Sequence, residues 1–360
     1  MSNITFRFRQ DSAGAWSSNN PVLAAGEIGI ELDSAGGVSP KFKIGNGILA
    51  WNDSSFNYFI NDSDQSALAG AGGSAGPSRY GDTAVLFGGY ISGAYNTSID
   101  YWDMTTTGNA SAFGDLTVGR GRGGAVSNGT YGVCVGGYPD TNTMDYVTIA
   151  TPGNATDFGD DVKTTYDQGA VSNGTLAVTC AGLNQTAMGY FYIDTPGNAA
   201  SYGTGINDHK AAAYFADNND RGIIAGGQNG GVTSNSIEYF TIATSGSVSD
   251  FGDCVAGRTG PSGCSDDTYG VIASAYNTLA GYTTMDYIVI QTTGNASDFG
   301  DCSNHSAYGS GTSNGTYGHF AGGGYLYIDQ IVIATPGNTT DFGDLSVVRS
   351  YTGNTATSGN

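Results

Sequence analysis

Gly108-Asn-Ala-Ser-Ala-Phe-Gly-Asp115 is the stretch that decides the fold, because similar phrases occur five more times along the chain. The later copies begin at Gly153, Gly197, Gly246, Gly294 and Gly337. Their central aromatic residues follow one another at steps of 45, 44, 49, 48 and 43 positions. A repeat of about 40 to 50 residues in a strand-rich chain has the length of one β-propeller blade. The sequence therefore predicts six blades.

Each repeat divides into four predicted strands, A to D. In the second repeat these are residues 123–127, 132–138, 143–150 and a segment that ends at Gly159. Asn128-Gly129 stands between A and B, and this dipeptide favours a two-residue hairpin because both positions require positive φ. The pattern predicts a four-stranded antiparallel blade with a tight A–B turn.

The two ends of the repeat region complement each other. Residues 71–77, upstream of the first predicted strand B, have the composition of a linker, whereas residues 351–357 align with strand A of the other repeats. We therefore expect the C-terminal strand to complete the first blade, which closes the ring and removes its free edges. The predicted fold class is all-β: a six-bladed propeller closed by the C-terminal strand, preceded by a small β-rich N-terminal module.

Composition agrees with short strands and many turns. The 360 residues include 59 Gly, about twice the usual share, and only 12% charged residues against about 25% in an average domain. Of the 32 acidic residues only three are Glu, and Asp favours turns where Glu favours helices. We expect almost no helix.

Charge and hydropathy exclude several classes of function. A formal net charge of −20 with 12 Lys and Arg argues against nucleic acid, since phosphate contacts need clustered cations. No stretch approaches the roughly 20 apolar residues of a membrane span, so we expect no membrane insertion. The first nine residues lack the apolar core of a signal peptide, which predicts synthesis in the host cytoplasm without one.

The order of residues within each unit resembles the kelch repeat. Strand B ends in Gly-Gly-Tyr at residues 88–90 and 136–138, a Tyr-bearing strand follows, and an Arg precedes the next unit. That Arg position is occupied by Arg120, Arg258 and Arg349. The resemblance covers about residues 79–360, although Phe-Gly-Asp stands where Trp is usual. It implies a kelch-like propeller but no particular activity, since propellers carry many functions.

Residues 1–60 contain no copy of the repeat. They contain Asn20-Pro-Val-Leu-Ala-Ala-Gly-Glu27, Lys41-Phe-Lys-Ile-Gly-Asn-Gly47 and two tryptophans, Trp16 and Trp51. This pattern resembles a module at the start of phage tail fibres and tropism-determinant proteins. The resemblance implies attachment to other virion proteins or oligomerisation, often within homotrimeric fibres; a generic small β domain is the alternative. Residues 61–78, rich in Gly, Ser and Ala, predict a flexible linker to the propeller.

The sequence predicts no enzyme and no catalytic residues. The three His are scattered, and the propeller has one Glu, so neither a nucleophile with its base nor a carboxylate pair stands out. We place Arg120, Arg258 and Arg349 at the mouth of the propeller pore, as in a sialidase, but the Asp-box of that family is absent. The aspartates of Phe-Gly-Asp are expected to cap backbone amides in a repeated turn.

Metal sites are weakly indicated. No Cys or His spacing fits zinc, and the five cysteines are expected to be small buried side chains. Residues 139–145 and 217–221 are dense in oxygen ligands suited to calcium, but polar turns have the same composition. We assign no cofactor and no metal ligand, and a loop-bound calcium ion stays open.

The B–C connections vary in length and share one face with the D–A connections. Variable loops on a rigid repeat frame are common recognition surfaces. Tyrosines there could stack on sugar rings while Asn and Asp bind hydroxyl groups, or the loops could be merely solvated. The candidate ligand-binding residues are Tyr95, Asp140, Asn142, Asn184, Asn229, Asn277, Tyr282 and Tyr325.

These observations predict a bacteriophage virion structural protein, a tail-fibre-like adhesin whose propeller binds a glycan or protein on the host surface. The expected location is the tail fibre or particle surface. Two alternatives stay open: a capsid- or tail-decorating protein without a receptor role, and a propeller enzyme that degrades host glycans.

Overall fold

The computed structural model describes residues 8–11, 22, 28–31, 41–44, 80–180, 182–183, 185–205, 211–217, 220–244, 246, 248–273, 275–277, 280–303, 307–352 and 355–357. The chain divides into two compact units, residues 1–75 and 76–360. In the first unit, β1 (Phe8–Asp11) pairs in parallel with β2 (Ile28–Glu31), which pairs antiparallel with β3 (Lys41–Ile44). The linker predicted for residues 61–78 lies outside the described residues.

The second unit is a six-bladed β-propeller, and each blade is a four-stranded antiparallel sheet with strands A to D in spatial order. In that order the first three blades comprise β33 (Thr355–Thr357), β4 (Thr83–Phe87), β7 (Ser98–Asp103) and β8 (Ser111–Asp115) in blade 1; β9 (Gly124–Ser127), β10 (Tyr131–Gly137), β11 (Thr141–Thr148) and β12 (Thr156–Asp160) in blade 2; and β13 (Ala170–Ser172), β14 (Leu176–Thr179), β15 (Ala187–Tyr192) and β16 (Ala200–Thr204) in blade 3.

The other three blades follow the same order. They comprise β17 (Ala213–Ala216), β18 (Arg221–Ala225), β21 (Ser236–Thr241) and β22 (Ser249–Asp253) in blade 4; β23 (Ser262–Ser265), β24 (Tyr269–Ala273), β27 (Thr284–Val289) and β28 (Ser297–Asp301) in blade 5; and β29 (Gly309–Ser313), β30 (Tyr317–Gly322), β31 (Tyr327–Val332) and β32 (Thr340–Asp344) in blade 6. Short hairpins extend three B–C connections: β5–β6 (Tyr90–Ile91, Ala94–Tyr95), β19–β20 (Gln228–Asn229, Val232–Thr233) and β25–β26 (Ala275–Asn277, Ala280–Tyr282).

The C-terminal strand closes the ring, which confirms the predicted closure. Strand β33 pairs antiparallel with β4, so that Thr355 lies opposite Leu86 and Thr357 opposite Ala84. The six inner strands β9, β13, β17, β23, β29 and β33 contact one another in cyclic order, and β33 contacts β9 again. No helix in the described part of the chain is long and apolar enough to cross a membrane.

The Phe-Gly-Asp phrase plays a different part from the turn cap expected of it. Its residues lie inside the outer strand D, and its glycine packs on the next blade: a Cβ on Gly114 would overlap the carbonyl oxygen of Gly153. Asn154 Oδ1 then accepts a hydrogen bond from the amide of Asp115 (3.1 Å). Each Gly-Asn thus docks on the Phe-Gly-Asp of the preceding blade, and we call this contact the outer latch.

The glycine contact of the outer latch runs around the whole ring, although the junction between blades 3 and 4 has Gly246-Ser247 where the other junctions have Gly-Asn. Its glycine contact recurs between every pair of neighbouring blades, ending with Gly343 against Gly108. The asparagine hydrogen bond also spans the closure, from the amide of Asp344 to Asn109 Oδ1 (3.1 Å). The repeated phrase is therefore conspicuous because every blade needs both halves of the same contact.

The core lies between neighbouring sheets. One cluster joins Val85 and Phe87 of blade 1 to Cys134 and Val147 of blade 2, and five similar clusters occur around the ring. All five cysteines are buried and none forms a disulfide bond, as expected of small core residues.

A buried histidine joins the two blades at the closure. Trp102 Nε1 of blade 1 donates a hydrogen bond to His319 Nδ1 of blade 6 (2.8 Å), and the Gln330 amide lies 2.9 Å from His319 Nε2. Phe342 packs on the same imidazole. Burial lowers the pKa of His319 to about 3, so the ring is neutral at physiological pH.

Candidate functional site

The D–A connections build a ring of residues around one mouth of the central channel. Each of the six connections places one residue in the left-handed backbone conformation. These residues are Arg122 (φ 62°), Asp167 (56°), Ala211 (51°), Gly260 (69°), Tyr308 (59°) and Tyr351 (54°). Five of them are not glycine, and the left-handed conformation costs each non-glycine residue about 1 to 3 kcal/mol. We call this ring the mouth collar.

Backbone hydrogen bonds hold the mouth collar head to tail. The amide of Asp167 donates to the carbonyl of Arg122 (2.7 Å), and Ala211, Gly260 and Tyr308 continue the series at 2.8 to 2.9 Å. The amide of Thr352 donates to the carbonyl of Tyr308 (3.1 Å), and the amide of Arg122 donates to the carbonyl of Tyr351 (2.8 Å), which closes the ring. The closed ring fixes the positions of side chains that come from six separate parts of the sequence.

An ion pair and three aromatic rings occupy one side of the mouth collar. Arg122 donates from Nε and Nη2 to the two carboxylate oxygens of Asp167, at 2.6 and 2.8 Å. The guanidinium carbon lies 4.8 Å from the ring centroid of Tyr166, 4.9 Å from Tyr351 and 5.6 Å from Tyr308. Both the hydrogen-bonding fork and the faces of this arginine are therefore engaged within the protein.

A row of tyrosines continues from this pair over the loop face. Ring centroids are 5.2 Å apart between Tyr90 and Tyr95, 5.0 Å between Tyr95 and Tyr138, and 5.1 Å between Tyr138 and Tyr166. Tyr90 also contacts Tyr351 of the collar, at 6.3 Å. We call Tyr90, Tyr95, Tyr138 and Tyr166 the tyrosine row. Tyr90 and Tyr138 are 37% and 39% exposed, so they can contact a ligand directly.

Tyr95 is held as a neutral phenol at the centre of the row. Burial raises the pKa of its hydroxyl, and the positive charge of Arg122 lowers that pKa by less. A neutral hydroxyl both donates and accepts hydrogen bonds. The row therefore combines apolar ring faces with uncharged polar edges.

Small residues form the other side of the mouth collar. All six collar residues line a cavity of about 80 Å³ between the collar and the inner strands, and Ala211 and Gly260 fill it least because they carry almost no side chain. Gln168 lines this cavity and is buried, and its amide oxygen has no hydrogen-bond partner among the described residues. The site therefore has a gap beside a row of aromatic side chains.

Tyr80 lies at the opposite end of the channel. It lines a second cavity, of about 110 Å³, among the A–B ends of the inner strands, and its hydroxyl donates to Asp267 (2.9 Å). Tyr80, the first described residue of the second unit, therefore lies at the A–B end, and the mouth collar lies at the far end of the same channel.

The residues predicted to bind ligand are spread over the loop face, and the structure brings one of them, Tyr95, into the tyrosine row. Asp140 is exposed in the B–C connection of blade 2, Asn142 is partly buried at the start of β11, and Asn229 is exposed in the β19–β20 hairpin of blade 4. Tyr325 stacks on its neighbour Tyr327 (6.1 Å, 22°), within its own blade. Asn277 and Tyr282 lie in β25 and β26, where only the backbone is described, and Asn184 lies outside the described residues.

The three arginines predicted at the pore mouth are in the interior instead, and this placement was wrong. Each is buried in an ion pair with an Asp on strand C of the next blade. The pairs are Arg120–Asp145 (3.1 Å), Arg258–Asp286 (2.7 Å) and Arg349–Asp100 (2.9 Å). Burial lowers the pKa of Arg349, and Asp100 opposes that effect. Full desolvation of a guanidinium requires such a partner, and the partner was overlooked in the sequence.

Blade 3 lacks both members of this ion pair. Thr165 stands at its Arg position and Gly189 at its Asp position, so both charges are missing there. Asp161 and Lys163 fill the space with their own buried ion pair (3.1 Å), which also involves Thr179. These pairs fasten blades to one another and leave none of the three arginines available to a ligand.

The segments considered for calcium have other partners. Asp145 is committed to Arg120 and Thr117, and Asp217 accepts hydrogen bonds from the amide of Arg221 and from Gln291. Within the described ranges, no group of three or more His, Cys, Asp or Glu side chains is arranged to hold a metal ion.

Sequence reasoning missed most of the site. Arg122 lies only two residues beyond Arg120, yet it is the arginine at the mouth, and Asp167, Tyr308 and Tyr351 are equivalent to it in three other repeats. Aligning the repeats at the Arg position and comparing the residues two positions further on would have found them. No family model matches this chain, and a search of curated proteins found no similar protein.

Proposed function

We propose that this chain is a bacteriophage virion structural protein, a tail-fibre-like adhesin whose propeller binds a host-surface receptor through the mouth collar and the tyrosine row. The observation that carries the proposal is the collar itself. Backbone strain at five non-glycine residues persists only where the surrounding structure enforces it, and such strain concentrates at functional sites.

The side chains around the collar suit non-covalent recognition. Tyrosine contributes a large, rigid surface with a polar tip, so it binds with little loss of side-chain entropy. Tyr90 and Tyr138 are exposed on the loop face, next to the fixed Arg122–Asp167 pair. Tyr80 lines the cavity at the opposite, A–B end of the channel, away from this face.

Two resemblances in the sequence support the virion setting. Residues 1–60 are similar to the N-terminal module of phage tail fibres, which would attach the chain to other virion proteins, and the repeat order is kelch-like. A homotrimer would present three mouths at once, and multivalent attachment raises weak affinities by factors of about 10² to 10⁴.

Immunogold electron microscopy of phage particles, with an antibody raised against the full chain, tests the virion assignment. Label at the tail is the expected result. Label confined to the head would favour the decorating protein, and particles without label would refute the assignment. A glycan-hydrolysis assay on the same preparation addresses the enzyme alternative, for which we expect no release of reducing sugar.

A further inference from the structure

We propose that the receptor bound at the mouth is an uncharged glycan. This inference rests on the proposed function and narrows its ligand class. It follows from how the cations of the propeller are used and from which groups the mouth leaves free to bind.

The described cations of the propeller are committed within the protein. Residues 76–360 contain eight Lys or Arg against 25 Asp or Glu. Six of those eight cations are described, and five of these are ion-paired to Asp: Arg120, Arg122, Lys163, Arg258 and Arg349. The sixth, Arg221, lies over the Tyr239 ring (4.4 Å) and donates to the carbonyl of Ile290 (2.9 Å).

Among the described residues, an acidic ligand therefore finds no uncommitted cation at the mouth. A carboxylate is normally bound by the two-pronged fork of an arginine, and the fork of Arg122 is already filled by Asp167. Displacing Asp167 would break a largely buried ion pair, which costs several kcal/mol. The surrounding negative charge of the propeller would repel the ligand as well.

A cationic ligand is attracted by the net negative charge of the propeller, but the described collar residues offer it no uncommitted carboxylate. Among the six collar side chains the charges of Arg122 and Asp167 cancel, and the other four are Ala, Gly and two Tyr. What the mouth offers is neutral: the ring faces of Tyr90 and Tyr138, and the amide oxygen of Gln168. Sugars present apolar C–H faces beside hydroxyl edges, which complement such a surface.

The gap in the mouth collar limits how far the glycan enters. Its cavity of about 80 Å³ corresponds to roughly five to eight water-sized spheres, which suits a hydroxymethyl group or the edge of a sugar more than a whole ring. We therefore place one sugar edge in the gap beside Ala211 and Gly260, with its hydroxyl donating to Gln168. The rest of the chain lies over Tyr90 and Tyr138.

The test uses the full chain and the host's surface polysaccharide, separated on an anion exchanger into neutral and acidic fractions. The neutral fraction should bind, and the affinity should change little between low and high salt because no ion pair forms. Ala211→Tyr, which fills the gap, should weaken binding at least about tenfold. Its backbone tolerates Tyr, since Tyr308 and Tyr351 occupy equivalent collar positions.

Two further variants keep the result interpretable. Tyr90→Ala should also weaken binding and leaves the interior untouched. Tyr192→Ala is the matched control: this side chain is 54% exposed at the end of β15 that leads to the C–D connection, away from the loop face, so its binding should be unchanged.

The outcomes separate this inference from the proposed function. Binding of the acidic fraction alone, with strong salt dependence, would overturn the uncharged ligand but keep the adhesin. Binding to host cells without binding to either fraction would identify a receptor that is not a glycan. This result would also overturn the uncharged glycan but keep the adhesin. A chain that binds no host cells would refute the adhesin and the inference together.

Discussion

Acid should weaken the propeller at its closure, because His319 must be neutral in the folded state. Its pKa is about 3 there, against 6.5 for an ordinary histidine. The folded state thus binds fewer protons than the unfolded state between these two values. The stability that depends on neutral His319 is complete above pH 6.5 and is lost as the pH falls towards 3.

The size of the effect follows from the two pKa values. Each unit of difference is worth about 1.4 kcal/mol, so the full difference is worth at most about 5 kcal/mol. Between about pH 7 and about pH 4, the His319 contribution to the free energy of unfolding should fall by about 3 kcal/mol.

Urea denaturation of the wild type and of His319→Gln at these two pH values measures the contribution. Carboxylates titrate in both proteins, so the informative quantity is the difference between the two losses. The glutamine retains hydrogen-bonding groups for Trp102 and Gln330, but it cannot be protonated in this range. The wild type should lose about 3 kcal/mol more than the variant.

Trp102→Phe serves as the control. It removes the hydrogen bond to His319 Nδ1 without adding or removing a titrating group. Because burial sets the pKa of His319, this variant should keep most of the wild-type pH dependence. Equal losses in the wild type and His319→Gln would refute the reasoning, since the histidine would then be free to charge in the folded state.

The ion pairs, the outer latch and the closing strand give three more expected outcomes. Arg349→Met alone should lower the free energy of unfolding by about 3 to 5 kcal/mol, because it leaves the buried Asp100 carboxylate without its arginine. The double variant with Asp100→Leu should lose less. Equal losses in chemical denaturation would argue against a buried pair. Gly343→Ala should destabilise the protein by about 1 to 3 kcal/mol, because the new methyl group would overlap the carbonyl of Gly108. In the control Gly337→Ala the methyl group has no neighbour within 4 Å, so this variant should be nearly as stable as the wild type. Similar melting temperatures for the two variants would contradict the outer latch. Deleting residues 351–360 removes β33 and should sharply lower the melting temperature; an unchanged value would exclude closure by this strand.

The sequence was sufficient to predict the propeller because the propeller is a repeat. Six copies of one phrase set the number of blades, and the surplus strand at residues 351–357 matched the strand missing from the first blade. Both features can be read directly from the order of residues along the chain. The pairing of β33 with β4 confirms that the C-terminal strand completes the first blade. The role of the phrase was missed because its two halves meet across neighbouring blades, as Gly114 meets Gly153.

The candidate site was only partly predictable for a related reason. The loop face and Tyr95 followed from loop variability, but the ring neighbours Tyr90 and Tyr138 come from different blades. Of the six collar positions only Gly260 carries the glycine that signals a left-handed backbone. Arg120 and Arg122 differ in burial because one points between blades and the other lies at the mouth, which depends on packing and not on residue type.

The most direct test of the central claim is the affinity of the full chain for intact host cells, compared between Tyr138→Ala and Tyr192→Ala. Both substitutions remove one exposed tyrosine, but only Tyr138 belongs to the tyrosine row at the mouth. Recognition through the mouth predicts at least about tenfold weaker binding for Tyr138→Ala and unchanged binding for Tyr192→Ala. Equal affinities for the two variants and the wild type would contradict it.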